Sequence, residues 1–174
     1  MKIYKDLFTG DEMFTDSYKV HLVDDVLYEV YGKYETRKHG EVILPGANPS
    51  AEEADEGTDT ATESGVDIVL NQRLVETPCF GDKKSYLLYL KDYMKNVTES
   101  LKETSTPEEV DKFKTKMNEV IKKLLARFKE FQFFTGESCD ADKGMVALLE
   151  YRQVNDEEIP IMIFFKHGLQ EEKY

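Results

Sequence analysis

Tryptophan is absent from the 174 residues, cysteine occurs twice and histidine three times. Cys79 and Cys139 lie far apart and neither belongs to a C-x-x-C pair. That pattern excludes a four-cysteine zinc site, argues against a disulfide framework and favours a reducing compartment. The histidines, His21, His39 and His167, are scattered and read as strand or loop residues, not as a catalytic or metal-binding group. Long apolar runs are missing as well. The longest, "IPIMIFFK", has the length of a strand and falls far short of the ~18 residues that span a bilayer. The opening "MKIYKDLFTGDEMF" lacks the apolar core of a signal peptide, so a cytoplasmic location is expected, and any action outside cells needs a non-classical route.

Catalytic signatures are lacking too. "GDKKS" at Gly81 has the lysine and serine of a phosphate loop without its earlier glycine, and neither G-x-S-x-G nor H-E-x-x-H occurs. "DADKG", Asp140 to Gly144, begins like a calcium loop but places its glycine one position early, with Tyr151 where the bidentate glutamate belongs. It reads as a turn. No resident cofactor is expected.

Positive charge is the scarcest commodity in one region: no lysine or arginine stands between Lys38 and Arg73. Residues 39–65 are instead rich in Gly, Ser, Thr, Ala and acids, a composition unable to bury enough apolar surface to offset its ordering entropy, so a long mobile acidic loop is expected. Its carboxylates Glu52, Glu53, Asp55 and Glu56 could gather calcium only weakly, at about 10⁻⁴ M, for want of preorganised geometry. The overall charge of −12 argues against binding nucleic acid or an anionic membrane. Yet from Lys83 to Lys129 twelve basic residues face seven acidic ones, a local +5 that leaves −17 for the remainder. A basic limb is attached to an acidic body.

That limb has a clear period. Tyr86, Leu90, Tyr93, Val97 and Leu101 form one helical stripe; Val110, Phe113, Met117, Val120, Leu124 and Phe128 form another. Between them "STPEEV" is a helix start, with Thr106 as N-cap, Pro107 in the first position and Glu109 completing a capping box. The spacing predicts a helical hairpin over 82–130. On its second helix Lys112, Lys116, Lys123 and Arg127 keep register on one flank and read as a docking surface for acidic partners. Around this limb the chain reads as strands. Tyr18, Val20 and Leu22 alternate, as do Val26, Tyr28 and Val30, across the turn residues Asp24 and Asp25. The apolar run Val66 to Leu70 reads as a strand, and so do "FQFFTGES", "GMVALLEYR" and "IPIMIFFK". Pro160, having no amide donor, is expected to open its strand or lie on an edge. The length suits one domain, 1–174, which at this size buries roughly 70% of its unfolded surface. Strands, a helical pair and strands again give an α+β class.

Several stretches taken together, "DEMFTDSY", "NPSAEEADEGTD", "GVDIVLN", "YLKDYMK", "QFFTGES", "GMVALLEYR" and "IMIFFKHGL", resemble the translationally controlled tumour protein family along essentially the whole chain. The resemblance implies a β-rich tent- or sandwich-like core, similar to small Rab exchange factors, with a projecting antiparallel helical hairpin. The zinc of those relatives is not implied, because its cysteines are missing. It also implies growth- and survival-promoting roles through partners: a Rheb-type small GTPase, tubulin and microtubules, calcium, Bcl-2-type proteins and elongation factors. Glu12, the glutamate of "DEMF", would be the GTPase contact, with Asn48, Ser50 and Glu52 in the loop signature and Glu137 in the second signature shaping the surface. Tyr174 stands where members often carry cysteine, so thiol-linked dimerisation is not implied. Two readings stay open: a multi-partner binding module, or a catalytic guanine nucleotide exchange factor, which needs no acid, base or nucleophile.

Overall fold

The computed structural model describes residues 1–38, 62–78 and 80–173. Asn48, Ser50, Glu52, Glu53, Asp55, Glu56 and Cys79 lie outside them, as do the loop expectations resting on these positions. Among the described residues, three antiparallel sheets form the body. Strands β1 (Lys2–Asp6), β2 (Glu12–Thr15) and β11 (Leu169–Lys173) make one sheet in the order β11-β1-β2. A six-stranded sheet runs β3 (Lys19–Val23), β4 (Leu27–Tyr31), β10 (Glu157–Phe165), β9 (Ala147–Val154), β8 (Gln132–Thr135) and β7 (Val75–Glu76). The third is the pair β5 (Tyr34–Lys38) and β6 (Thr62–Val66).

Local chemistry sets the turns. Asp24 and Asp25 both take positive φ (54° and 61°), and Val26 N–H closes a left-handed turn onto the Val23 carbonyl at 3.2 Å within the connection that pairs Val23 with Leu27. Asn155 and Asp156 repeat the device between β9 and β10, with φ of 53° and 67°. Pro160 neither opens its strand nor lies in an edge strand. It pairs with Tyr151 of β9, while on the other side β4 begins its ladder only at Ile161. The missing amide is therefore tolerated where β10 outruns its neighbour.

Aromatic rings join the two larger sheets. Phe14 of β2 stacks on Tyr4 of β1 (4.4 Å) and meets Phe164 of β10 at 4.6 Å and Tyr28 of β4 at 5.8 Å. Leu22 departs from the alternating expectation: it is 48% exposed, because β3 is the sheet's edge and the body covers little of it.

The helical hairpin consists of α2 (Lys83–Thr104) and α3 (Pro107–Ala126), the second followed by a 3₁₀ turn over Phe128–Glu130. Tyr86, Leu90, Tyr93 and Val97 are buried on α2, and Val110, Phe113, Met117, Val120 and Leu124 on α3, as the two stripes require. Thr106 Oγ1 accepts from Glu109 N–H at 3.2 Å. The reciprocal capping box forms at the other helix start, where Asp82 and Ser85 exchange bonds. Tyr89 anchors α2 to the body: its hydroxyl donates to the Gly144 carbonyl (2.7 Å) and accepts from Val146 N–H (2.9 Å).

Two further sequence expectations need correction. Thr62–Val66 belongs to β6, so the acidic stretch ends earlier than residue 65. The apolar run Val66 to Leu70 is mostly helix: α1 spans Asp67–Gln72. A run this short has no period to separate strand from helix, and tertiary bonds decide. The buried Asp67 carboxylate accepts from Ile68 N–H (2.8 Å) and Lys33 N–H (2.9 Å), turning the chain out of β6 at that point.

An ionic tetrad fastens hairpin to sheet. Glu150 of β9, its side chain 3% exposed, accepts from Arg152 on its own strand (3.0 Å) and from Arg127 at the end of α3. Arg152 reaches on to Glu29 of β4 at 2.9 Å. Burial alone would raise the Glu150 carboxyl, but the hydrogen bonds and charges of Arg152 and Arg127 outweigh it and hold the group below its usual range. Its contribution to stability is therefore present at neutral pH and is lost as pH falls through that lowered value. Glu150→Gln is expected to cost about 3 kcal/mol at pH 7 by urea unfolding, through stranded arginines, with a smaller difference from wild type at pH 3; an equal difference at both pH values would overturn the assignment.

Candidate functional site

The first charged feature is built from three segments. The β1–β2 turn folds tightly, Gly10 N–H donating to the Asp6 carbonyl (2.8 Å) with Gly10 at φ 79°. That turn presents Asp11 and Glu12 at the surface while Met13 and Phe14, the next residues of β2, are wholly buried. The segment after β8 supplies Glu137 and Ser138. Asp11 ties the two together, its Oδ2 accepting from Ser138 Oγ (2.6 Å) and Ser138 N–H (3.2 Å). Gly136 makes that approach possible, since a Cβ there would collide with the Asp11 carboxylate. The third segment is the end of α1, where Arg73 adopts φ 57° and ψ 40° as the helix terminates.

Together Gly10, Asp11, Glu12, Asn71, Gln72, Arg73 and Glu137 line a polar depression of about 470 Å³. Arg73 Nη1 donates to Glu137 Oε1 at 3.2 Å, an exposed and easily exchanged pair. No ion pair or side-chain hydrogen bond engages the Glu12 carboxylate among the described residues. Three carboxylates thus surround one arginine, and Glu12 is the uncommitted one. Of the expected GTPase contacts, the structure brings Glu12 and Glu137 together, 125 positions apart in sequence. Asp11 and Arg73 were not singled out from sequence. The first basic residue after a span with none was a signal that could have drawn attention to Arg73.

The four cations expected on one flank of α3 divide three ways. Lys112 and Lys116 border a groove between α3 and the body. Lys123 Nζ lies 3.4 Å from Asp24 Oδ2 in the β3–β4 turn. Arg127 caps the end of α3, bonds Glu130 (3.3 Å) and Glu150, and stacks over Phe131 at 5.1 Å. Helical register placed these residues on one flank, but it could not anticipate that the sheet would claim Arg127 and the turn Lys123.

"DADKG" forms a turn, Asp140 Oδ1 accepting from Asp142 N–H (3.1 Å) and Lys143 N–H (2.9 Å). Cys139 is exposed. Among the described residues no cluster of three His, Cys, Asp or Glu is placed to hold a metal ion, and no helix is long and apolar enough to cross a membrane.

These features describe an α+β body with a lysine-bearing helical hairpin and a shallow charged depression, a surface suited to recognition by charge. The family model described as "Translationally controlled tumour protein" matches residues 1–170. The translationally-controlled tumor protein homologs of Plutella xylostella and Drosophila melanogaster are 67% and 66% identical, over 100% and 99% of both chains. The solved structure of translationally controlled tumor-associated protein p23fyp from Schizosaccharomyces pombe superposes with a TM-score of 0.79 at 43% identity, covering 100% of each chain. That of the Caenorhabditis elegans protein gives 0.74 at 43%, covering 100% of this chain and 99% of the other. The chain belongs to the translationally controlled tumour protein family.

Proposed function

We propose that this chain is a partner-binding protein of growth and survival control that engages a small GTPase of Rheb type through the Glu12 depression. One observation carries the reading: Glu12 is exposed and without an ion-pair partner among the described residues, at the edge of a depression shared with Asp11, Glu137 and Arg73. A lysine or arginine on a partner would find an unengaged carboxylate there, and the exchangeable Arg73–Glu137 pair can reopen to offer a second. The rigid mounting supports the same reading, because the Asp11–Ser138 bonds fix the turn before any partner arrives.

Guanine nucleotide exchange is the alternative. It requires only that this surface hold the nucleotide-free GTPase more tightly than the loaded one. Release of a fluorescent guanine nucleotide from purified Rheb-type GTPase distinguishes the two. A binder leaves release unchanged at catalytic amounts of this protein, whereas an exchange factor accelerates it. Under either reading Glu12→Ala is expected to weaken GTPase affinity about tenfold, ~1.4 kcal/mol, without loss of thermal stability. Wild-type affinity in that variant would remove Glu12 from the interface.

A second reading, docking of tubulin through its acidic segments, is favoured by Lys112 and Lys116, which have no ion-pair partner among the described residues. The reading now rests on Lys112, Lys116 and Lys123, with Arg127 assigned to structure. Changing the three lysines to glutamate is expected to abolish co-sedimentation with microtubules, and retention would overturn it. Weak calcium binding by Glu52, Glu53, Asp55 and Glu56, at about 10⁻⁴ M, belongs to the same proposal; a micromolar site of fixed stoichiometry in calorimetry would contradict it.

A further inference from the structure

The groove bordered by Lys112 and Lys116 is about 690 Å³, within the range of small-molecule sites. Its apolar floor consists of Val26 at the start of β4, Phe113 of α3 and His167 of the 3₁₀ turn after β10, the last two rings 4.5 Å apart. His167 Nδ1 is buried and has no hydrogen-bond partner. Burial, helped by the neighbouring Lys166, lowers the imidazole to about 4, so at neutral pH it joins the floor as an uncharged ring.

Cations and anions share the walls, and what compensates each decides the ligand. Lys112 and Lys116 are four residues apart on α3, an unfavourable like-charge spacing, and Lys166 joins them from the body. None of the three has an ion-pair partner among the described residues. The acids are less exposed to repulsion. Glu109 lies in the first turn of α3, where the helix dipole supports negative charge, and Asp111 follows one residue after that turn. The lysines lie beyond this support. Among the described lining residues, Asp25 of the β3–β4 turn is the one acid that faces them from the body.

We propose that the groove binds a small amphipathic carboxylate: a compact ring system lies on Val26, Phe113 and His167, and its acid group is held by Lys116 and Lys166 with Lys112 beside them. This site is separate from the Glu12 depression and shares Lys112 and Lys116 with the tubulin reading, from which Lys166 and Lys123 distinguish it. Lys166 belongs to the groove alone, and Lys123, latched to Asp24, does not line it.

The probe is 2-naphthoate, titrated into the ¹⁵N-labelled full chain and followed by amide shifts. Saturable binding at about 100 μM is expected, with shifts centred on Val26, Phe113 and His167. Its uncharged counterpart 2-naphthalenemethanol should bind at least about tenfold more weakly, as should Lys166→Glu and Lys116→Glu toward the acid, while Lys123→Glu keeps wild-type affinity. Lys116 is exposed and Lys166 half-buried, and neither has an ion pair among the described residues, so these variants should retain the wild-type melting temperature. Equal affinity for the two probes, undiminished binding by Lys166→Glu, shifts centred away from the groove, or no saturation would each overturn the proposal. Loss of microtubule co-sedimentation in Lys123→Glu with naphthoate binding intact would separate this site from the tubulin reading.

Discussion

The buried Glu150 carboxylate organises more of this molecule than any other single group. It lies on an inner strand of the six-stranded sheet, accepts from arginines on two elements and through Arg152 reaches Glu29 two strands away. Arg127 stands where α3 ends, so the base of a 20-residue helix is fastened to the sheet by charge as well as by the Leu124 and Val120 stripe. Further along α3, Lys123 meets Asp24. These two ties set the separation of α3 from the β3–β4 turn, and the groove with Phe113 and His167 in its floor is what that separation leaves open.

The two proposed recognition surfaces are built on opposite principles. The Glu12 depression is polar, and its framework is assembled from turn chemistry: a left-handed Gly10, a left-handed Arg73 and the space left by Gly136. The groove under α3 has an apolar floor and keeps its charges on the walls. Each occurs where segments distant in sequence meet, while the aromatic packing of Tyr4, Phe14, Tyr28 and Phe164 joins the two larger sheets.

Local signals made much of the fold legible in the sequence. Both helices of the hairpin follow from their stripes, and Thr106-Pro107 marks the second start to the residue, because capping and period depend on neighbours only. Asp24-Asp25 likewise announces its hairpin. The failures have a common cause. Asp67 to Leu70 became helix with the Asp67 carboxylate accepting from Lys33 N–H, a partner 34 positions away. Leu22 is exposed because of which strand lies beside it, and Arg127 is structural because of Glu150. At the charged depression, sequence resemblance could name Glu12 and Glu137, but composition could not show that they share one hollow or that Asp11 and Arg73 complete it. Whatever depends on which distant segment arrives next to a residue is unreadable from its immediate surroundings.

The short sheet of β5 and β6 brings Lys38 and Thr62 into register as cross-strand neighbours. The backbone therefore departs and returns at one place, like a thread drawn out through a closed seam. The ladder itself holds the two ends of that span together, Arg37 facing Glu63 and Lys38 facing Thr62 along the backbone. Because β5 and β6 belong to neither larger sheet, a reporter peptide joined at this seam would leave the strand order of both as it stands.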